Sequence, residues 1–283
     1  PMGLYLRPTD LAEALTVLAE RPLAVLAGGT DFYPARVGRP LADDIIDITA
    51  LAGLRGIAGA GGQFRLGATL TWSELLRAPL PPWFDGLKLA AREVGGVQIQ
   101  NAGTIAGNLC NASPAADGIP ALLALDASVE LAARDGRRVL PLAEFVLGNR
   151  RTARRPGELV TAVLVPKPRH PARATFAKLG TRKCLVISIA MVAAVLEIDA
   201  GRVAVARIAV GACSPVARRL PALEQRLVGR AAARGLGRAV EPADLAPLSP
   251  IDDARGTAAY RLDAARTLIA RILDDLAAKR DPG

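Results

Sequence analysis

The sequence predicts an α+β protein in which helices and β-hairpins are intermixed. Three observations carry that expectation. Helix-spaced leucines with a capping pattern open the chain, short apolar strands recur around glycine turns, and no regular strand–helix–strand array links them. With 283 residues, 51% of them hydrophobic, the chain can bury a sizeable core and has room for two domains.

The elements follow in order. Leu11, Leu15 and Leu18 share one helical face, and Asp10 and Glu13 are spaced as a capping box. LAVLAGG reads as a strand ending in paired glycines, TDFYPARVG as a turn or helix start, and IIDI (45–48) as a second strand. A hairpin is expected around Gly61-Gly62, leading to a helix near Ser73. Pro81-Pro82 breaks the chain before a helix over roughly 84–93. Then comes TIAGNLCNASPAADGIPALLALDA, beginning at Thr104, in which small polar residues precede an apolar run and Asp117 stands at the join.

SVELAARDGRRVLPL suggests a hairpin turned at Asp135-Gly136, and ELVTAVLVP alternates like a strand that stops at Pro166. The character shifts over PKPRHP (166–171), the expected linker. Beyond it ATFAKLG, VISIAMVAAVLEI and VAVARIAVGA read as three strands, the last two joined by a DAGR turn. A long helix over 257–278 ends the helical tail.

Charge and composition exclude several functions. Lys and Arg number 36 against 27 Asp and Glu, a net +9, but the cations are mostly arginine scattered without a dense block. Aromatics make up only 4% of the chain, so base stacking has little to work with and nucleic-acid binding is not expected. Cys110, Cys184 and Cys213 are dispersed with no Cys-x-x-Cys pair, which supports neither a disulfide framework nor a zinc or iron–sulfur site. Free thiols suit a reducing cytoplasm. His170 reads as a solvent-exposed linker residue, with no metal or catalytic role. No apolar span of about twenty residues occurs, and PMGLYLRPTD lacks a signal peptide's regions, so a cytoplasmic protein without membrane insertion is expected.

Two glycine segments are the candidate sites: AGGTD (Ala27, Gly28, Gly29, Thr30, Asp31) and TIAGN (Thr104, Ile105, Ala106, Gly107, Asn108). Glycines after a strand let the backbone turn and bring its N–H groups close to a ligand. Thr30, Thr104, Asn108, Asn111 and Ser113 add hydroxyl and amide groups, and a helix beginning beyond Ser113-Pro114 would favour an anion. Either segment alone reads more readily as a plain turn or a helix cap than as a ligand site. Neither carries a P-loop lysine or Rossmann spacing, so ordinary ATP and NAD sites are disfavoured.

Together, AGGTD and TIAGNLCNASPAADGIPALLALDA resemble the FAD-binding medium subunit of molybdenum-containing hydroxylases, the family of carbon monoxide dehydrogenase and xanthine dehydrogenase. GELVTAVLVPKP, FAKLGTRKCLVISIAMVAAVL, GACSPVARRLPALEQRLVG and AAYRLDAARTLIARIL follow in the family's order, so the resemblance spans essentially the whole chain. It implies a two-lobed FAD-binding fold of the vanillyl-alcohol oxidase type over 1–170, with lobes of about 1–55 and 56–170. A C-terminal CO dehydrogenase flavoprotein-like α/β domain would cover 171–283.

By the same resemblance, 27–31 and 104–108 would hold the FAD diphosphate, and Asp117 would accept hydrogen bonds from ribityl or ribose hydroxyls. Val160 and Lys178 match positions near the flavin, and Val94 and Gly95 a region beside the ring. A phenylalanine in xanthine dehydrogenase is replaced by Val94, which leaves an aromatic contact there open. Read without the family, Lys178 is a water-facing strand residue and Asp117 a helix cap.

FAD is expected to be bound noncovalently, because neither segment contains a histidine. No residue of this chain is assigned a catalytic or metal-ligating role. The resemblance implies a small [2Fe–2S] subunit and a large molybdenum-cofactor subunit as partners, in a heterotrimer that dimerises to a heterohexamer. Electrons would pass from the iron–sulfur partner to NAD+, a quinone or O2. A self-sufficient flavin oxidase or reductase of the same fold is the alternative. Cys110 reads as a small buried filler.

Overall fold

The computed structural model describes residues 3–38, 40–183 and 185–278; Cys184 lies outside them. Two compact units are formed, each from separated stretches of chain. The first comprises Pro1–Arg77, Gly96–Ala112 and Ala127–Pro166, the second Ala78–Gly95, Ser113–Asp126 and Lys167–Gly283.

The first unit begins with β1 (Tyr5–Leu6), α1 (Leu11–Glu20), β2 (Ala24–Leu26) and β3 (Ile45–Asp47). Asp10 is the N-cap of α1 and accepts the Glu13 N–H at 3.1 Å, while Ala14, Leu15 and Leu18 are buried. β3 pairs in parallel with β1 and β2, giving the order β1-β3-β2. Asp47 is buried on this central strand. It is tolerated because the Tyr5 hydroxyl donates to it at 2.5 Å and the Thr49 N–H at 2.8 Å.

A five-stranded antiparallel sheet follows, built from β4 (Ile57–Ala60), β5 (Gln63–Gly67), β6 (Ser128–Ala133), β7 (Gly136–Pro141) and β10 (Leu159–Pro166), in the order β4-β5-β10-β6-β7. Gly61 and Gly62, with φ of +58° and +80°, make the tight turn between β4 and β5. The second hairpin turns at Arg134 and Asp135 instead of Asp135-Gly136, because Gly136 already pairs with Ala133. β10 is central and buried from Leu159 to Val165, so its sequence alternation does not separate a wet face from a dry one. At its base Arg138 holds the buried Glu158 with two bonds of 2.6 and 2.9 Å. The helices are α2 (Trp72–Arg77), α4 (Val97–Ala102), α5 (Ile105–Asn111) and α7 (Leu142–Phe145), and β8 (Val146–Gly148) pairs with β9 (Arg151–Thr152).

The second unit carries α3 (Asp85–Glu93), α6 (Gly118–Ala124), α8 (Pro221–Leu227) and α9 (Ala258–Ala278) around one sheet. Its strands are β11 (Ala172–Leu179), β12 (Ala190–Asp199), β13 (Arg202–Gly211) and the short β14 (Arg218–Arg219), all antiparallel and in chain order. β12 starts at Ala190, later than VISIAMVAAVLEI implies, because 186–188 stand outside the ladder. The DAGR turn places Ala200 and Gly201 at φ +45° and +72°. One face of β12 (Ala190, Val192, Ala194, Leu196) joins Ile269, Ile272, Leu273 and Leu276 of α9 in a single core. On the other face Gly211 lies against Met191 and Pro120 so closely that a Cβ there would sit 2.6–2.7 Å from both side chains.

Helices on both sides leave β12 no wet face, and Glu197 is buried on it. Arg207 pairs with its Oε1 at 2.7 Å, and the Arg169 and His170 N–H groups donate to its Oε2 at 2.9 and 3.1 Å. The linker is thereby pinned to the sheet, and His170 is half-buried where a solvent-exposed residue was expected. Among the described residues no helix is long and apolar enough to cross a membrane.

Candidate functional site

In the first unit the two glycine segments come together. AGGTD leaves β2 in a bend, with Gly29 at φ +70°, a left-handed conformation that favours glycine. Gly28 packs against the end of α4: a Cβ on it would lie 1.9 Å from the Ala102 carbonyl oxygen. One residue further on, a Cβ on Gly103 would meet the Ile99 carbonyl at 2.9 Å and the Thr30 hydroxyl at 3.4 Å. The absence of side chains at Gly28 and Gly103 is therefore what lets 27–31 lie beside the start of 104–108.

TIAGN is not an open loop. Thr104 is the N-cap of α5, its hydroxyl accepting the Gly107 N–H at 3.0 Å, and Ile105 to Asn108 form the first turn. The segment is fixed from behind by Ile105 N–H to the Leu70 carbonyl (3.0 Å) and Trp72 N–H to the Gly103 carbonyl (3.2 Å). Asn108 carries a buried side-chain oxygen, Oδ1, that has no hydrogen-bond partner. An unsatisfied buried acceptor costs about 1–3 kcal/mol and needs a reason. Asn111 is half-buried in the last turn of α5, and Ala112 ends the helix at φ +48°. Cys110 is exposed, not buried filler, because it lies on the outward side of a short helix whose inner side is Ile105, Ala106 and Leu109. Val160 is buried on β10 beside the irregularity at Thr161.

The second unit holds the remaining expected residues. Val94 ends α3, and Gly95 follows at φ +54°. Ser113 forms a turn, its hydroxyl accepting the Ala115 N–H at 3.2 Å and its carbonyl the Ala116 N–H at 3.0 Å. The following helix, α6, begins at Gly118. Asp117 stands at the head of α6 but makes no cap hydrogen bond. Its Oδ2 instead accepts the Lys178 ammonium at 3.0 Å, and its Oδ1 the Ser188 hydroxyl at 2.9 Å. The Lys178 side chain is only 6% exposed, so it is not a water-facing strand residue. Burial holds the Asp117 carboxyl above the usual range, although Lys178 and Ser188 oppose it in part.

A cavity of about 430 Å³ adjoins this pair, lined in part by Glu93, Phe176, Lys178, Arg182 and Lys183. Ser188 is a site residue that neither glycine segment nor the family resemblance indicates. The signal was there: a lone hydroxyl between Ile187 and Ile189 at the head of an otherwise apolar run. Among the described residues no group of three or more His, Cys, Asp or Glu is placed to hold a metal ion.

Residues 1–168 match the family described as the FAD binding domain in molybdopterin dehydrogenase, and 175–276 match the CO dehydrogenase flavoprotein C-terminal domain. The chain belongs to this family of FAD-binding oxidoreductase subunits. It is 29% identical over 279 residues to the xanthine dehydrogenase FAD-binding subunit of Escherichia coli O157:H7, covering 97% of this chain and 96% of the relative. The carbon monoxide dehydrogenase medium chain of Hydrogenophaga pseudoflava is likewise 29% identical, over 280 residues, with 97% and 96% covered. Reconstituted CO dehydrogenase from Oligotropha carboxidovorans matches in three dimensions with a TM-score of 0.89, at 27% identity and 99% coverage of both chains. The α+β fold class and the family resemblance are thus borne out.

Proposed function

We propose that this chain is the electron-transferring FAD subunit of a molybdenum hydroxylase complex. It would take electrons from a [2Fe–2S] subunit and deliver them to an external acceptor: NAD+, a quinone or O2. The observation that carries this reading is the close approach of 27–31 to 104–108 at Gly28 and Gly103, beside the unpartnered Asn108 Oδ1. Two glycine-rich segments packed this closely, with a buried amide oxygen that a hydroxyl or N–H of a ligand would satisfy, fit a nucleotide cofactor. FAD, when bound, supplies reversible one- and two-electron redox chemistry.

The residues of the chain bind and orient. Backbone N–H groups of Ala27, Gly28, Gly29, Thr30 and Asp31 and the short side chains of both segments suit a diphosphate, while in Thr104 to Asn108 the Ile105, Gly107 and Asn108 N–H groups already donate to Leu70 and Thr104. Asn111 and Ser113 add polar groups at the end of that stretch. Asp117, with Lys178 beside it, accepts from sugar-type hydroxyls, and Val94, Gly95 and Val160 provide apolar or close-packing surface. Partners are a small iron–sulfur subunit and a large molybdenum subunit, in a dimer of heterotrimers, and the location is cytoplasmic.

Purification from the native host tests this directly. The complex should be yellow, release FAD on denaturation, and contain one iron–sulfur and one molybdenum subunit. A lone flavoprotein that oxidises its own substrate would overturn the subunit reading in favour of a self-sufficient oxidase. A colourless protein that takes up no FAD would overturn both.

A further inference from the structure

We propose that Ser188 is a positioning residue for the hydroxyl-bearing part of the cofactor, acting through Asp117. The inference rests on the reading that Asp117 accepts hydrogen bonds from flavin sugar hydroxyls. A carboxylate has about four acceptor sites on two oxygens and, left alone, rotates about its own bond. Here each oxygen is held by a different donor: Oδ1 by the Ser188 hydroxyl at 2.9 Å and Oδ2 by the Lys178 ammonium at 3.0 Å. One donor would leave the plane free to swing; two donors on opposite oxygens fix it. Acceptor capacity then remains on both oxygens in a set orientation, which suits two neighbouring hydroxyls of a polyol or ribose.

The donors are themselves anchored. Lys178 lies on β11 in register with Met191 of β12. Ser188 precedes β12 by two positions and is 2% exposed, and the Ile189 N–H donates to the Leu179 carbonyl at 2.8 Å. Arg182, Leu185 and Ile187, between these two strands, are exposed. Ser188 thus stands buried just ahead of β12, where it touches the candidate ligand residue. Two ionised groups act on Asp117 from the elements around it. Lys178 on β11 favours its charged form and Glu93 on α3 opposes it, while Ser188 adds a further bond to the charged form.

The test uses the full chain freed of flavin, with FAD affinity read from quenching of flavin fluorescence and the apoprotein's melting temperature as control. Asp117→Asn should weaken FAD binding, and Ser188→Ala should weaken it about tenfold, the worth of one fixed hydrogen bond. Ser188→Thr, which keeps the hydroxyl, should restore binding. Asp117→Asn combined with Ser188→Ala should bind no worse than Asp117→Asn alone, since both act through one carboxylate. In Ser188→Ala the acid limb of the affinity profile should move to higher pH, because a bond favouring ionised Asp117 is gone. If Asp117→Asn binds FAD like the wild type, the underlying reading fails. If Asp117→Asn is weak but Ser188→Ala binds normally, the Ser188 inference alone fails. It also fails if the double substitution is additive, or if threonine does not rescue.

Discussion

Gly28 and Ala102 approach each other so closely that a single methyl on the glycine would stand 1.9 Å from the Ala102 carbonyl oxygen. That atom is backbone and cannot rotate away. Gly28→Ala should therefore push the AGGTD bend off the end of α4, at a cost of about 1–3 kcal/mol or more. Flavin content should fall with it, measured as the ratio of flavin to protein absorbance alongside the melting temperature.

Asn108 should separate stability from binding. Its Oδ1 is buried with no partner, so removing it relieves an existing penalty. Asn108→Ala is expected to leave the apoprotein as stable as the wild type or more so, and to weaken FAD about tenfold. Titration of apoprotein with FAD checks the second half and thermal unfolding the first. Gly107→Val is a poorer probe of the same segment, because a Cβ there would lie 2.7 Å from the Thr104 hydroxyl and spoil the N-cap.

Lys178→Met would leave Asp117 buried with Ser188 as its remaining donor. Removing one partner of a buried pair typically costs about 3–5 kcal/mol. The expected result is a destabilised apoprotein that regains stability as pH falls, because the stranded carboxylate then takes up a proton. The sign follows from a carboxyl already raised by burial and losing its main opposing charge. Unfolding curves at several pH values read it.

Glu197 works in the opposite sense. Burial pushes its carboxyl upward, but Arg207 and the His170 and Arg169 N–H groups more than offset this, and it sits below the usual range. Its stabilisation is present above the unfolded value of about 4.3 and is lost as pH falls through the lower folded value. Glu197→Gln should therefore cost about 3 kcal/mol at neutral pH. The difference from wild type should shrink in acid, as followed by denaturant unfolding.

Much of this was legible in the sequence because it is local. The Asp10 cap, the Gly61-Gly62 turn, the DAGR turn and strand β13 are each decided by a few neighbouring residues, and each lies where expected. What escaped depends on distant partners. The first turn of α5 hides in TIAGN because glycine and asparagine read as loop, and the Thr104 cap outweighs that preference. Asp117 reads as a cap until Lys178 and Ser188, 61 and 71 residues away, claim its two oxygens. The family resemblance pointed to Asp117 and Lys178 separately; only the fold pairs them.

The path of the chain has a consequence for synthesis on the ribosome. It passes from one unit to the other at 77/78, 95/96, 112/113, 126/127 and 166/167. Helices α3 and α6 emerge early, yet β11, β12 and β13, against which they pack, are made only after residue 171. Until then the buried faces of Leu87, Ala90, Ile119 and Leu122 have no sheet to cover them. Nascent chains stalled near residue 168 should accordingly hold an unfinished, chaperone-binding intermediate instead of a separately folded N-terminal domain. The second unit can close only after α9 has been made.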